Sequence, residues 1–262
     1  MTVWTFDEVG HGQEATRELR DLMEGAVFTS PKPLRYITRF LHIGTSKDST
    51  VLDFFSGSAT TAHAVMKLNA EDGGHRKFIL VQLPEVTEEK SEARKAGYEN
   101  ICQIGEERIR RAGKKIKEEA GLQGQDLDTG FRVLKLDSSN MEDVFYTPED
   151  FSEVDLFNSV DNVKSDRTPL DLLFQVMPEL DIELSAKIEE KDVNGKQVFF
   201  VDGTYLIATF DMDVNESTVT EIAKMKPQYF VMRDASAAND NVLDNFEQIF
   251  KYYSPDTIRK IL

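Results

Sequence analysis

The stretch TVLDFFSGSATTAHAV, residues 50–65, limits the folds open to this chain more than any other. A short apolar run ends in Asp53, Phe54 and Phe55, a loop of small residues follows, and the next residues read as the start of a helix. After the loop EDGGHRK a second apolar run, KFILVQL, begins, and Pro84 stops it. Continuous apolar runs of this length are expected of strands buried on both faces. The spacing therefore predicts strand–helix–strand, with parallel strands joined by a right-handed crossover. In an open sheet of that kind, ligands bind at the carboxyl ends of the strands.

The flanking segments extend the pattern. Trp4 and Phe6 stand as apolar anchors without a complete element around them. GQEATRELRDLMEG reads as a helix with Ala15, Leu19 and Leu22 on one face, and Leu34, Ile37, Phe40 and Leu41 mark another that Gly44 ends. A long helix carries Tyr98, Ile101, Cys102, Gly105, Ile109, Ala112 and Ile116 on one stripe. FRVLKL, residues 131–136, reads as a further strand. A second pattern starts at Thr168: a helix with proline in its first turn, a strand at DIELSAKIE, and a hairpin across Asp202-Gly203. A helix from Val219, a strand at Tyr229–Met232, a helix from Val242 and a terminal strand at TIRKIL complete it. The expected organisation is residues 1–140 as one domain (1–27 being the remnant of an upstream segment), an acidic connection over 141–167, and a small α/β domain over 168–262.

Charge and cysteine content narrow the function classes. The net charge of −16 is uneven: residues 1–130 hold 18 Lys+Arg against 21 Asp+Glu, and residues 131–262 hold 13 against 26. The second half repels a phosphate backbone. The basic clusters RIRRAGKKIK and HRK could contact phosphate; a solvated helix face is the favoured expectation. A single cysteine, Cys102, excludes an internal disulfide and fits a reducing, cytoplasmic setting, with the thiol expected to be buried and inert. No apolar run is long enough to cross a membrane, and no metal-ligand set is expected.

At the small-residue turn, Gly57 between Ser56 and Ser58 lets backbone approach a ligand, and the following helix offers unpaired amides at its N-terminus. A nucleoside triphosphate calls for a lysine-bearing phosphate loop, which is absent; a dinucleotide calls for three glycines, where this loop has one. S-adenosylmethionine suits the turn better, since its ammonium matches the strand-end carboxylate of Asp53. A plain turn with no ligand is the competing reading.

These residues carry a resemblance. DFFSGSATTAHAV resembles the glycine-loop motif of amino-methyltransferases acting on DNA, with Ala59 where the commoner form has glycine. That alanine matters only if its φ must be positive. FTSPKPLRYITRFL, HRKFILVQLPE, GFRVLKLDSS and RDASAANDNVLDNFEQIFKYYSPD resemble, in this order, the modification subunit of type III restriction–modification systems. The resemblance implies an α/β fold: a Rossmann-like methyltransferase, here the cofactor-binding half of its sheet, followed by a small α/β C-terminal domain. It implies S-adenosylmethionine as cofactor. Lys32 and Pro33 would flank it, Asp53, Phe54, Phe55, Ser56, Gly57, Ser58 and Thr60 would line its methionine part, and Gln82 and Leu83 would meet ribose and adenine. Implied partners are DNA, a second copy of the chain and a restriction subunit, with Asp202-Gly203 and residues 142–166 as contact regions.

One element of that family is missing. Adenine amino-methylation uses a Pro-Pro-aromatic motif that accepts hydrogen bonds from the amine of a flipped base. No two prolines are adjacent in the 262 residues. In the order the resemblance implies, that motif and the target-recognition segment precede the Lys-Pro motif, so this sequence reads as a C-terminal portion without catalytic residues of its own. The rival expectation is a non-catalytic dimerisation or subunit-docking module.

Overall fold

The computed structural model describes residues 3–124, 126–142, 162–237 and 240–262. The chain divides into two compact units, Met1–Leu134 and Lys135–Leu262.

The first unit runs α1 (Phe6–Val9), α2 (Gly12–Met23), α3 (Leu34–Gly44), β1 (Thr50–Asp53), α4 (Thr60–Asp72), β2 (Lys77–Leu80), α5 (Glu92–Lys95) and α6 (Ile101–Ala120). β1 and β2 pair in parallel, Thr50 opposite Lys77 and Asp53 opposite Leu80, which is the arrangement the crossover predicts. α4 is buried nearly all round because it is packed on two sides. Ala64, Val65 and Leu68 meet Leu41 of α3 together with Val51 and Phe78. Ala62 and Met66 meet Ile109, Ala112 and Ile116 of α6 together with Phe78 and Leu80. The small residues Ala62 and Ala64 let both neighbours approach.

Three sequence expectations need correction in this unit. The strands are not buried on both faces: Leu52 and Ile79, which point away from the helices, are 60% and 53% exposed. All the packing helices use the face of Val51, Phe78 and Leu80. FRVLKL forms no strand, because residues 131–136 have no ladder neighbour among the described residues. Trp4 is not an orphan: it packs edge-on against Tyr36 and Phe40 of α3, with ring centroids 6.2 and 5.2 Å away.

The second unit contains α7 (Pro169–Glu179), β3 (Ile188–Val193), β4 (Lys196–Val201), β5 (Leu206–Thr209), α8 (Glu216–Lys224), β6 (Tyr229–Met232), α9 (Asp240–Tyr253) and β7 (Ile258–Ile261). α7 starts in a capping box: Thr168 N–H donates to Asp171, and Asp171 N–H donates back to the Thr168 hydroxyl. The five strands lie in sequence order, antiparallel from β3 to β5 and parallel from β5 to β7. Alternation sends Phe199, Val201, Leu206 and Ala208 to a core with α7. Val198, Phe200, Ile207 and Phe230 go to the opposite core, with α8 and α9. The predicted hairpin across Asp202-Gly203 joins β4 to β5. The strand read at DIELSAKIE begins only at Ile188, and it pairs through a hairpin that the sequence reading missed, at Asn194-Gly195. Both turn residues have positive φ, 55° and 78°, as a two-residue hairpin turn requires. The expected acidic connection, 141–167, lies mostly outside the described residues.

Candidate functional site

β1 delivers Asp53 to the carboxyl edge of the sheet, and the loop that follows is held by hydrogen bonds from four directions. Asp53 Oδ1 accepts from the Phe55 amide at 3.2 Å, and Oδ2 accepts from the Thr61 hydroxyl at 2.5 Å. Asp53 thus ties the end of β1 to the first turn of α4, while each of its oxygens keeps acceptor capacity for a further donor. The Ser56 amide donates to the Val81 carbonyl at 3.3 Å, and the Gly57 amide donates to Gln82 Oε1 at 2.7 Å. Gln82 therefore does structural work on the loop, and its Nε2 donates to the Leu83 carbonyl.

Two residues of the loop lie in the left-handed region, Gly57 at φ 52° and Ala59 at φ 57°. A Cβ on Gly57 would also meet the Phe28 ring at 3.3 Å. The condition under which alanine at position 59 matters is thus met. Ala59 occupies a conformation that costs an L-residue roughly 1–2 kcal/mol, and other contacts must hold it there.

The Lys32-Pro33 segment comes to the same place through the Thr60 hydroxyl, which lies 3.5 Å from the Lys32 carbonyl; Pro33 caps α3. The Lys32 side chain is exposed. Phe54, Phe55 and Leu83 are exposed apolar groups at the carboxyl ends of β1 and β2, Phe55 at 79%. The structure therefore joins Lys32, Asp53, Ser56, Gly57, Thr60 and Gln82 in one network and leaves Phe54, Phe55 and Leu83 at its rim.

Beneath the loop lies a residue that the sequence reading passed over. Arg108 of α6 is buried, and its Nη1 donates to the Ser58 hydroxyl at 2.9 Å, the Ser58 carbonyl at 3.3 Å and the Thr60 hydroxyl at 2.6 Å. Burial lowers its pKa to about 10. Its signal was legible: position 108 falls between Ile104 and Ile109 on the apolar stripe of the helix. His63 of α4 has its Nδ1 sealed from solvent, with no hydrogen-bond partner among the described residues. Burial, and then the charge of Arg108, lower its pKa to about 3. Cys102 is half-buried rather than buried. Its thiol donates to the Gln82 carbonyl at 3.4 Å, and burial raises its pKa.

The basic clusters are mostly neutralised locally. Arg110 pairs with Glu106 and Glu107, Arg111 with Glu107 and Glu24, and Lys114 and Lys115 with Glu118 and Glu119. Arg76 is buried against Asp72 at 2.9 Å. Among the described residues no helix is long and apolar enough to cross a membrane.

Comparison with known proteins agrees with the motif reading. Residues 1–114 match the family described as DNA methylase. The chain is 42% identical over 127 residues to the type III restriction-modification enzyme StyLTI Mod subunit of Salmonella typhimurium, covering 48% of this chain and 19% of the relative. It is 36% identical over 203 residues to the EcoPI Mod subunit of Escherichia phage P1, covering 74% of this chain and 29% of the relative. The resemblance to type III modification subunits is thereby borne out, and the chain spans less than a third of the length of these relatives.

Proposed function

We propose, from the premise that residues 1–114 match the DNA methylase family and that the chain is similar to type III Mod subunits, that the first unit is the cofactor side of an adenine amino-methyltransferase. It would be the S-adenosylmethionine-binding half of a Rossmann-like sheet. The observation that carries this reading is the loop from Ser56 to Thr60, where two left-handed residues sit between a strand-end carboxylate and a helix N-terminus.

The donor set suits the cofactor. Asp53 can accept from the methionyl ammonium. The first amides of α4 can receive its carboxylate, since a helix N-terminus favours an anion. Gln82 keeps one amide hydrogen for a ribose hydroxyl. The exposed face of Leu83 offers apolar cover to the adenine, and Phe54 and Phe55 line the methionine part. When bound, S-adenosylmethionine supplies an electrophilic methyl group.

These 262 residues hold the donor and do not transfer its methyl group. Transfer to adenine needs acceptors for the charge that develops on the amine, and the Pro-Pro-aromatic set that would supply them is absent from the sequence. With a net charge of −16 and its basic clusters paired, the chain is expected to bind DNA poorly. The second unit, which carries no histidine, is proposed to dock a second copy or a restriction subunit. It includes the exposed Asp202-Gly203 tip.

Titration calorimetry with S-adenosylmethionine tests the reading. Losing a charge-assisted hydrogen bond weakens binding by about ten-fold or more, so Asp53→Ala is expected to bind that much less tightly. Asp53→Asn, which keeps the shape of the loop, should also bind more weakly than the parent chain. Equal affinities would remove Asp53 from the site, and incorporation of labelled methyl groups into mixed-sequence DNA by the purified chain would overturn the assignment as donor-holding only.

A further inference from the structure

The loop bears strain at Ala59, and its restraint comes from 50 residues away in sequence. We propose that Arg108 is the positioning residue of this loop: from α6 it grips Ser58 and Thr60, on either side of Ala59, and so holds the left-handed turn in the form that presents the first amides of α4 to a ligand. The proposal rests on reading the loop as a cofactor loop.

All three acceptors of the guanidinium lie within residues 58–60. Ser58 is buried, so its carbonyl would have no water to turn to if the arginine were lost. The grip also reaches the facing segment, because the same Thr60 hydroxyl lies 3.5 Å from the Lys32 carbonyl. One turn earlier on α6, Gly105 lies against the same loop. A Cβ there would stand 3.4 Å from both the Gly57 carbonyl oxygen and the Ala59 Cβ.

Ion pairing gives no reason for an arginine here. Among the described residues no carboxylate lies within ion-pair distance of it, and Glu18 acts on it only through the longer-range field. Among the described residues its Nε has no hydrogen-bond partner. Buried charges stabilise weakly or not at all relative to apolar side chains of similar volume. What an apolar side chain lacks is a donor: Nη1 reaches a carbonyl and two hydroxyls, which share its two N–H groups.

The test compares Arg108→Met, Arg108→Lys and a packing control, Ile116→Ala two turns further along α6, in the full chain. Each is measured by thermal unfolding, amide hydrogen exchange and S-adenosylmethionine calorimetry. Arg108→Met is expected to lower the unfolding temperature, because the buried acceptors of Ser58 and Thr60 lose their donor, while the Gly57 and Ala59 amides exchange at least about ten-fold faster and affinity falls about ten-fold or more. Arg108→Lys should restore part of both. Ile116→Ala should lower the unfolding temperature and leave loop exchange and affinity unchanged. Parent-like loop exchange in Arg108→Met overturns the proposal, as does a loop change that Ile116→Ala reproduces. If Arg108→Met does not fold, parent-like loop exchange and affinity in Arg108→Lys overturn it, and an intermediate loss in both supports it. Should the parent chain fail to bind S-adenosylmethionine while loop exchange still follows Arg108, the cofactor reading falls and the positioning role stands.

Discussion

β1 and β2 of the first unit and β4 and β5 of the second are all short apolar strands, yet their surroundings differ. Leu52 and Ile79 point out of the first sheet with most or half of their surface exposed, whereas Ile207 and its neighbours in β5 are fully buried. In the second unit α7 covers one face, and α8 and α9 cover the other. In the first, α3, α4 and α6 all use a single face. The second unit concentrates its apolar surface in two cores. The first leaves apolar surface exposed beside the loop that holds its candidate ligand groups. A continuous apolar run thus indicates a strand but not how many of its faces are covered.

The same substitution made in both sheets puts this contrast to its hardest test. Ile207→Ala should destabilise the second unit by about 2–5 kcal/mol, as loss of a buried isoleucine does. Ile79→Ala should change the first by less than about 1 kcal/mol, as at an exposed site. Denaturant unfolding of each variant gives both values. A cost at Ile79 as large as that at Ile207 would mean that something covers the open face in solution.

Acid should separate the units next. His63 lies in the first unit, and the second has no histidine. Its pKa is about 3 in the fold against 6.5 as the ordinary value. The unfolded chain therefore takes up a proton first as pH falls, so the stability linked to neutral His63 is present above pH 6.5 and is lost on the way down toward pH 3. The slope is at most about 1.4 kcal/mol per pH unit. Hydrogen exchange at pH 7 and pH 5 should show protection falling in α4 and α6 and holding in β4 to β6, and His63→Leu should flatten the difference. An equal loss in both units would break the contrast.

The smallest effects concern positive φ, which each unit manages differently. Asn194 at φ 55° is a residue that tolerates the left-handed region, whereas Ala59 at φ 57° is not. Asn194→Ala should cost about 1 kcal/mol in the second unit. Ala59→Gly should change stability by less than that, since relief of strain is offset by the loss of a buried methyl worth about 0.8 kcal/mol. Thermal unfolding measures both. A large stabilisation from Ala59→Gly would mean that Arg108 holds the turn less firmly than its hydrogen bonds indicate.

Much of the loop was legible in the sequence. An apolar run, a strand-end aspartate, small residues and a helical start form a local pattern, and each of these follows from dihedral preference and spacing within about fifteen residues. The parallel pairing of β1 and β2 followed from the length of the crossover between them, and the hairpin at Asp202-Gly203 from its turn chemistry. Four features were settled only by tertiary structure: the open face at Leu52 and Ile79, the missing strand at residues 131–136, the left-handed angle at Ala59, and the burial of Arg108 beneath the loop. Each depends on a neighbour far away along the chain. A strand needs another strand's ladder, a buried face needs a helix to cover it, and a strained residue needs distant donors to hold it in place. Periodicity records what a segment offers for contact. The partner that accepts the offer is set by the long-range packing of the whole unit.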